Sequence, residues 1–155
     1  MLLNEEFVSA SLVICERVLV EADGVASAIR LVDIIYVPKQ QVETPEGIRI
    51  ILPIFALLSV RIAPRPTSDR TITVKITSPD NKTQTLFGPN PVALAGNPLV
   101  SGTDAPRGTN FVIQLNFEAV KYGTHIMRAF LDDKEIAMAP FTLQQSPEQK
   151  PGNQS

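Results

Sequence analysis

Two segments of the chain alternate strictly between polar and apolar residues. Residues 71–77 run Thr-Ile-Thr-Val-Lys-Ile-Thr, and residues 111–117 place large apolar side chains at every second position. Alternation with a period of two over five or more residues is typical of a β-strand with one face in the core. β-branched and aromatic residues, which pack well on a pleated surface, dominate both segments. We therefore predict two half-buried strands.

Turn-forming residues delimit the other predicted strands. The Asp23-Gly24 pair predicts a hairpin turn between strands at 8–20 and 25–37, because both residues tolerate positive φ. Proline and glycine, which interrupt strand ladders, help to bound further strands at 48–62, 82–87 and 124–131, and a turn at 132–134 precedes the last strand at 135–143. Between these strands we expect one helical turn at 118–122 and a long loop at 88–108, which holds four prolines and four glycines.

About seven to eight short strands without a convincing amphipathic helix predict an all-β protein. The expected architecture is an antiparallel β-sandwich with a Greek-key topology, and a closed barrel is the alternative. The 155 residues are the size of one domain, which we place at 1–143. Residues 144–155 contain no apolar residue except proline, so we expect a disordered polar tail there.

Two stretches of the chain resemble known families. The segment 123–134, Gly-Thr-His-Ile-Met-Arg-Ala-Phe-Leu-Asp-Asp-Lys, resembles the closing hairpin of immunoglobulin-like sandwiches, with His125 where that pattern usually has tyrosine. Residues 11–16, the Asp23-Gly24 turn and residues 28–38 resemble a family of small uncharacterised bacterial β-sandwich proteins. That resemblance implies the fold. It implies no activity and no site residues, because the family has no assigned function.

Charge and hydropathy narrow the possible partners and the compartment. A formal net charge of −2 supplies no basic field for a phosphate backbone, so we predict no nucleic-acid binding. The first charged residues, Glu5 and Glu6, are acidic, whereas a secretory signal begins with basic residues. The most apolar run, residues 50–58, is too short to span a membrane. We therefore predict a cytoplasmic protein that does not bind membranes.

The sequence offers few groups for catalysis or metal binding. Its single cysteine, Cys15, and single histidine, His125, both lie in apolar strands, so we expect each to be a structural residue. There is no G-x-S-x-G nucleophile elbow and no phosphate-binding Gly-Lys-Ser/Thr loop. We predict a protein that is not an enzyme and that carries no cofactor and no metal.

Two predicted strand segments, 29–37 and 48–62, are apolar on both faces. A sheet of an antiparallel sandwich normally leaves one face in water, so the second apolar face needs a cover. Either the loop at 88–108 or another protein could supply it. We predict an interaction or assembly module that self-associates or binds another protein through Tyr36, Ile51, Phe55, Leu57 and Arg61.

The alternative is a small ligand-binding or metal-binding protein, or a hydrolase, whose site is built from loops at one end of the sandwich. Its candidate residues are Asp23, Asp80, Arg107, Asp132 and Asp133. Carboxylates from several turns could gather a calcium ion, and an arginine in a glycine-rich loop could bind an anion. Such a site requires that the turns meet at the same end of the fold.

Overall fold

The chain folds into two packed β-sheets. The computed structural model describes residues 7–23, 25–37, 43–44, 47–62, 70–91, 107–119 and 121–147. These residues form eleven strands and no helix, and therefore no helix that could cross a membrane. The strands are β1 (Phe7–Val20), β2 (Ala26–Leu31), β3 (Ile34–Val37), β4 (Glu43–Thr44), β5 (Gly47–Ile48), β6 (Ile50–Ile62), β7 (Thr71–Thr77), β8 (Thr83–Pro91), β9 (Arg107–Ala119), β10 (Gly123–Leu131) and β11 (Lys134–Gln145).

Nine of the eleven strands make up the sandwich. One sheet has four strands in the order β2-β1-β6-β9, and the other has five in the order β3-β11-β10-β7-β8. All the described neighbours pair antiparallel except β3 and β11, which run parallel. The remaining strands, β4 and β5, form a separate short hairpin. The predicted all-β sandwich is confirmed, with nine strands where seven to eight were expected.

The core lies between the two sheets and follows the alternation of the strands. In β7 the three apolar residues of the alternating segment are buried, as predicted, while the alternate residues, three threonines and Lys75, are only half-buried. β6 and β10 contribute in the same way, because successive side chains of a strand point to opposite faces. The buried side chains of these three strands are Ile54, Ala56, Leu58, Val60, Ile72, Val74, Ile76, His125, Met127, Ala129 and Leu131.

The segment 25–37 was predicted to be one strand, and the structure divides it into two. β2 joins the four-stranded sheet and β3 joins the five-stranded sheet. Val32 donates a backbone hydrogen bond to Ile14 O at 2.9 Å, and Asp33 O accepts one from Thr142 N at 2.8 Å, so the chain crosses between the sheets here. The segment looks two-sided in the sequence because it contributes to two different sheets.

Three other boundaries differ from the prediction. Glu118 and Ala119 do not start a helical turn but continue β9, where they pair with β6. β8 continues through Gly88 to Pro91, because it is an edge strand in which a proline need not donate a ladder hydrogen bond. The predicted loop at 88–108 is wrong at both ends, where residues 88–91 belong to β8 and residues 107–108 to β9, and residues 92–106 lie outside the described part of the chain.

The predicted polar tail begins later than residue 144. Gln144 and Gln145 belong to β11 and pair with Tyr36 and Val37 of β3. Ser146 N then donates to Val37 O at 2.9 Å. Polar side chains do not prevent pairing at an edge, because the backbone supplies the hydrogen bonds. The last eight residues, 148–155, lie outside the described residues.

Candidate functional site: the outer face of the four-stranded sheet

β6 carries four of the five predicted interface residues on one side. Its even-numbered residues from Ile54 to Val60 are buried against the second sheet, so its odd-numbered residues point away from the core. Ile51 and Arg61 are exposed, and Phe55 and Leu57 are half-buried. We call the side of the four-stranded sheet that points away from the core the outer face.

The register between strands adds apolar neighbours to these residues. Leu57 lies opposite Val13 of β1 and Val112 of β9. Phe55 lies opposite Cys15, which in turn lies opposite Leu31 of β2. Opposed residues of antiparallel strands share a face, so their side chains form continuous rows across the sheet. We call the resulting group the apolar patch; it consists of Val13, Cys15, Ile29, Leu31, Ile51, Phe55, Leu57 and Val112.

Much of this patch is exposed in the single chain. The exposed fraction is 65% for Leu31, 56% for Ile51, 44% for Val112 and 37% for Ile29. With the partly exposed members, this amounts to about 500 Å² of apolar side-chain surface, near the upper end of what a typical monomer exposes in one patch. An apolar surface of this extent marks a candidate contact site.

Polar residues border the patch on two sides. One end of the face carries Ser11, Ser59 and Asn110 in one row, where Ser59 Oγ donates to Asn110 Oδ1, and Arg61 lies beyond them. Along β9 the outward residues other than Val112 are amides and an acid, Asn110, Gln114, Asn116 and Glu118. An apolar centre with a polar rim is the usual composition of a protein interface.

The outward side of the five-stranded sheet has a different composition. Threonines of β7, β8, β10 and β11 line it, with hydroxyl pairs Thr77–Thr83 and Thr124–Thr142 at 3.2 Å. Its arginine Arg128 binds Glu135 at 2.8 Å. The ring of Phe130 is covered by the ammonium group of Lys75, 5.2 Å from the ring centre. This face also exposes Ile34 and Tyr36 of β3 and Met138 of β11, so its apolar residues lie towards the β3 edge, while β7 presents threonines and Lys75 to solvent.

The hairpin of β1 and β2 extends beyond the sandwich. β1 pairs with β6 only as far as Cys15, and its last residues pair with β2 alone. The last pair is Cys15 with Phe55, and the next outward residue of β6 is Pro53, which cannot donate a ladder hydrogen bond. None of the described residues between 16 and 31 is buried. We call residues 16–31 the ribbon. Beyond Leu31, the pairs Arg17–Ile29 and Leu19–Ser27 continue the outer face, so this extension is partly apolar and partly polar.

A cavity of about 490 Å³ lies where β1 separates from β6. Phe55 and Cys15 line it from the four-stranded sheet, and Tyr36 lines it from β3 of the other sheet. Near it, the side chains of Glu16 and Arg30 form an ion pair at 3.5 Å. Tyr36, the fifth predicted interface residue, therefore does not lie on the outer face. The cavity nevertheless brings it together with Phe55, which the linear pattern could not indicate.

Cys15 and His125 do not form a catalytic pair, because they lie in different sheets and have separate partners. Cys15 is buried beside Phe55, and its Sγ donates to Phe55 O at 3.7 Å. Burial raises the pKa of the Cys15 thiol, so the reactive thiolate is disfavoured. The predicted structural role of this cysteine agrees with its position.

His125 is fully buried in the core. Its ring stacks on Phe141 at 5.3 Å and meets the edge of Phe117 at 5.5 Å. Nδ1 lies 3.1 Å from Gly123 O and therefore carries the proton, since a carbonyl only accepts. Nε2 has no hydrogen-bond partner among the described residues. Burial lowers the pKa of His125, so the imidazole is neutral at physiological pH.

Two of the loop acids proposed for the alternative site lie at opposite ends of the five-stranded sheet. Asp80 follows the end of β7 and binds Ser78 Oγ and, at 3.6 Å, Lys121 Nζ; the Ser78 hydrogen bond is the main reason that its pKa is lowered. Asp132 instead lies at the start of β7, where its Oδ1 accepts from Thr71 N at 3.0 Å. The expectation that these two acids could share a site at one end is wrong.

The other candidates for that site have local roles or none that is described. Asp23 Oδ1 accepts from Val25 N at 3.0 Å within its own turn. Asp133 is exposed, and Arg107 is the first residue of β9, with its side chain outside the described atoms. Across the described part of the chain, no three His, Cys, Asp or Glu residues are grouped as metal ligands.

The comparisons with known proteins add no relative to this description. The sequence matches no protein-family model and no curated protein sequence. The resemblance of residues 11–38 to a bacterial β-sandwich family therefore stays a prediction, and the outer face has to be interpreted from its own geometry.

Proposed function

We propose that this β-sandwich is a non-enzymatic assembly module that binds another protein surface through the apolar patch. The observation that carries the proposal is the difference between the two outward faces. One carries threonines and ion pairs on β7 and β10 and exposes Ile34, Tyr36 and Met138 towards its β3 edge, whereas the other exposes Leu31, Ile51 and Val112 around the half-buried Phe55 and Leu57. A sheet face that only contacts water gains nothing from exposed leucine, isoleucine and valine side chains, whereas a face that binds a protein does.

The size of the patch supports an interface. Burying about 500 Å² of apolar surface is worth about 12 kcal/mol before costs. Lost translational and rotational freedom opposes this with roughly 4–15 kcal/mol. Adding the polar rim brings the contact towards the roughly 800 Å² per partner of a standard interface.

The remaining parts of the proposal concern setting and class. We propose a cytoplasmic location, which suits a chain whose single cysteine is a buried free thiol. We also propose that the module binds neither nucleic acid nor membrane, and that its closing hairpin is of the immunoglobulin-like kind. Its membership of the bacterial β-sandwich family belongs to the same proposal, supported by the segments 11–16 and 28–38.

Site-specific photo-crosslinking tests the interface. A benzophenone amino acid replaces either Ile51 on the outer face or Thr73 on the outward face of the other sheet, and each protein is irradiated in lysate of its own host. We expect a discrete protein adduct from position 51 and none from position 73. No adduct from position 51, or the same adducts from both positions, would refute the proposal.

A further inference from the structure

We infer that the cavity where β1 separates from β6 binds a small organic cation, an ammonium group attached to an apolar body. This site goes beyond the proposed assembly role and does not depend on it. Three features of the cavity point to this class of ligand: walls held by backbone hydrogen bonds, an apolar floor below a charged opening, and one carboxylate without a partner.

Backbone hydrogen bonds hold the walls of the cavity in place. On one side, β1 pairs with β6 as far as Cys15 and Phe55 and then diverges from it. On the other side, Val32 N donates to Ile14 O at 2.9 Å, and β3 pairs with β11 from Ile34 onward. Small-molecule sites are usually preformed and enclose about 300–1,000 Å³. The 490 Å³ of this cavity lie within that range.

The cavity has an apolar floor and a charged opening. The buried side chains that line it, and therefore form its floor, are Ile14, Cys15 and Ile54. The charged side chains that line it are all exposed and therefore lie at its opening; they are Glu16, Arg30 and Asp33. A ligand that fits both parts has an apolar body and a polar or charged head, because a charge placed on the floor would lose its hydration without compensation.

An unpaired carboxylate decides the charge of that head. Glu16 and Arg30 bind each other at 3.5 Å, so their charges largely cancel. Within the described part of the chain, the Asp33 carboxylate has no hydrogen bond and no ion pair, and only its backbone oxygen is used, by Thr142 N. A cation complements this remaining negative charge, whereas an anion is repelled by it.

Two aromatic side chains favour the same ligand. Phe55 and Tyr36 line the cavity from different sheets. Aromatic rings attract ammonium groups through their negative faces, and this attraction is a common basis for the recognition of organic cations. Phe55 is half-buried and suits the apolar body, while Tyr36 is exposed at the opening and suits the head. An arylalkyl ammonium ion combines the required body and head.

An NMR titration of the ¹⁵N-labelled full-length protein tests the inference with three probes that share one apolar body. The probes are phenethylammonium, the neutral 2-phenylethanol and the anion phenylacetate. We expect phenethylammonium to give saturable shifts at the amides of residues 31–36, with a dissociation constant below about 1 mM. Phenylacetate should bind at least about 5-fold more weakly than phenethylammonium, and 2-phenylethanol should lie between them.

Two variants with a matched control locate the head of the ligand. Asp33→Asn should weaken phenethylammonium binding by about 3–5-fold and leave 2-phenylethanol binding unchanged. Asp133→Asn, which removes another exposed carboxylate outside the cavity, should change neither affinity. Tyr36→Leu should weaken phenethylammonium binding by about 2–5-fold, because it replaces the ring with an alkyl group. The same spectra show whether each variant is folded.

The outcomes that overturn the inference are distinct from those that refute the assembly role. Absence of saturable shifts up to about 10 mM phenethylammonium, or shifts confined to other parts of the chain, overturns the site. Equal affinities for the three probes, or wild-type affinity in Asp33→Asn, overturns the choice of a cation. If a variant fails to fold, the order of the three probes in the wild-type protein still decides the matter. None of these results alters the crosslinking expected from position 51.

Discussion

Asp132 holds the turn between β10 and β11 against the start of β7, and a substitution series there tests whether this acid is structural. Its backbone N donates to Thr71 O at 2.8 Å, and its Oδ1 accepts from Thr71 N at 3.0 Å. Its Oδ2 lies 2.6 Å from Arg70 Nε. The residue also has a φ of 52°, in the left-handed region that aspartate and asparagine tolerate better than alanine.

The expected cost of each substitution follows from these contacts. Asp132→Ala loses the side-chain hydrogen bond and the ion pair, which together are worth about 1–1.5 kcal/mol at a partly exposed site. It also places alanine in the left-handed region, for about 1 kcal/mol more. The total is roughly 2–2.5 kcal/mol. Asp132→Gly removes only the first part, about 1–1.5 kcal/mol, and Asp132→Asn keeps the acceptor and the φ tolerance, so it loses about 0.5–1 kcal/mol.

Thermal unfolding followed by circular dichroism measures the series. Asp132→Ala should lower Tm by about 5–10 °C, since 1 kcal/mol corresponds to about 2–4 °C in a chain of this size. The stability order should be wild type, Asn, Gly, Ala. Asp133→Ala is the matched control, because its carboxylate has no described hydrogen bond or ion pair, and it should change Tm by less than about 2 °C. An alanine variant as stable as the glycine variant would refute the backbone argument.

Three further predictions concern the core and the edge of the fold. Burial in the folded chain lowers the pKa of His125 from 6.5, so the unfolded chain takes up the proton first as pH falls. The free energy of unfolding, measured with urea, should therefore fall as pH drops below about 6.5, and His125→Phe should flatten that dependence. Parallel pH profiles of the wild type and the variant would contradict the prediction. Gly88→Ala should lower stability by about 3 kcal/mol or more in the same assay, since the new Cβ would lie 2.2 Å from Ile72 O at a φ of 87°; an unchanged midpoint would contradict the close approach. Cys15 should react with iodoacetamide far more slowly in the native protein than in urea, and equal rates would show that the thiol is not buried.

The strands were predictable wherever buried and solvent-facing positions alternate along the chain. Residues 71–77 alternate in the sequence and in burial, because a strand with one wet face selects polar residues at every second position. The grouping of Ile51, Phe55 and Leu57 on one face of β6 was predictable for the same reason, since they share one phase of the alternation. Composition alone could not show whether that phase is covered.

Other features depend on contacts between residues distant in sequence. The change of sheet at Val32 and Asp33 depends on hydrogen bonds to Ile14 and Thr142, which no local pattern contains. Gln144 and Gln145 are ordered because β3 offers them a backbone edge, although their composition resembles a disordered tail. The positions of the loop acids at opposite ends also depend on strand direction, which the sequence does not state.

The sequence by itself determined an all-β chain, the residues that alternate into the core, and the absence of any linear catalytic motif, because these follow from side-chain chemistry at fixed short spacings. Only the tertiary structure decided which apolar phase of β6 meets the second sheet and which remains outward. It also placed Leu31, Cys15, Phe55 and Val112 on one surface, since β2, β1, β6 and β9 become neighbours through backbone pairing. Every residue type except proline offers the same backbone hydrogen bonds, so strand order depends on how the whole chain packs. The surface on which the proposed assembly depends follows from that strand order.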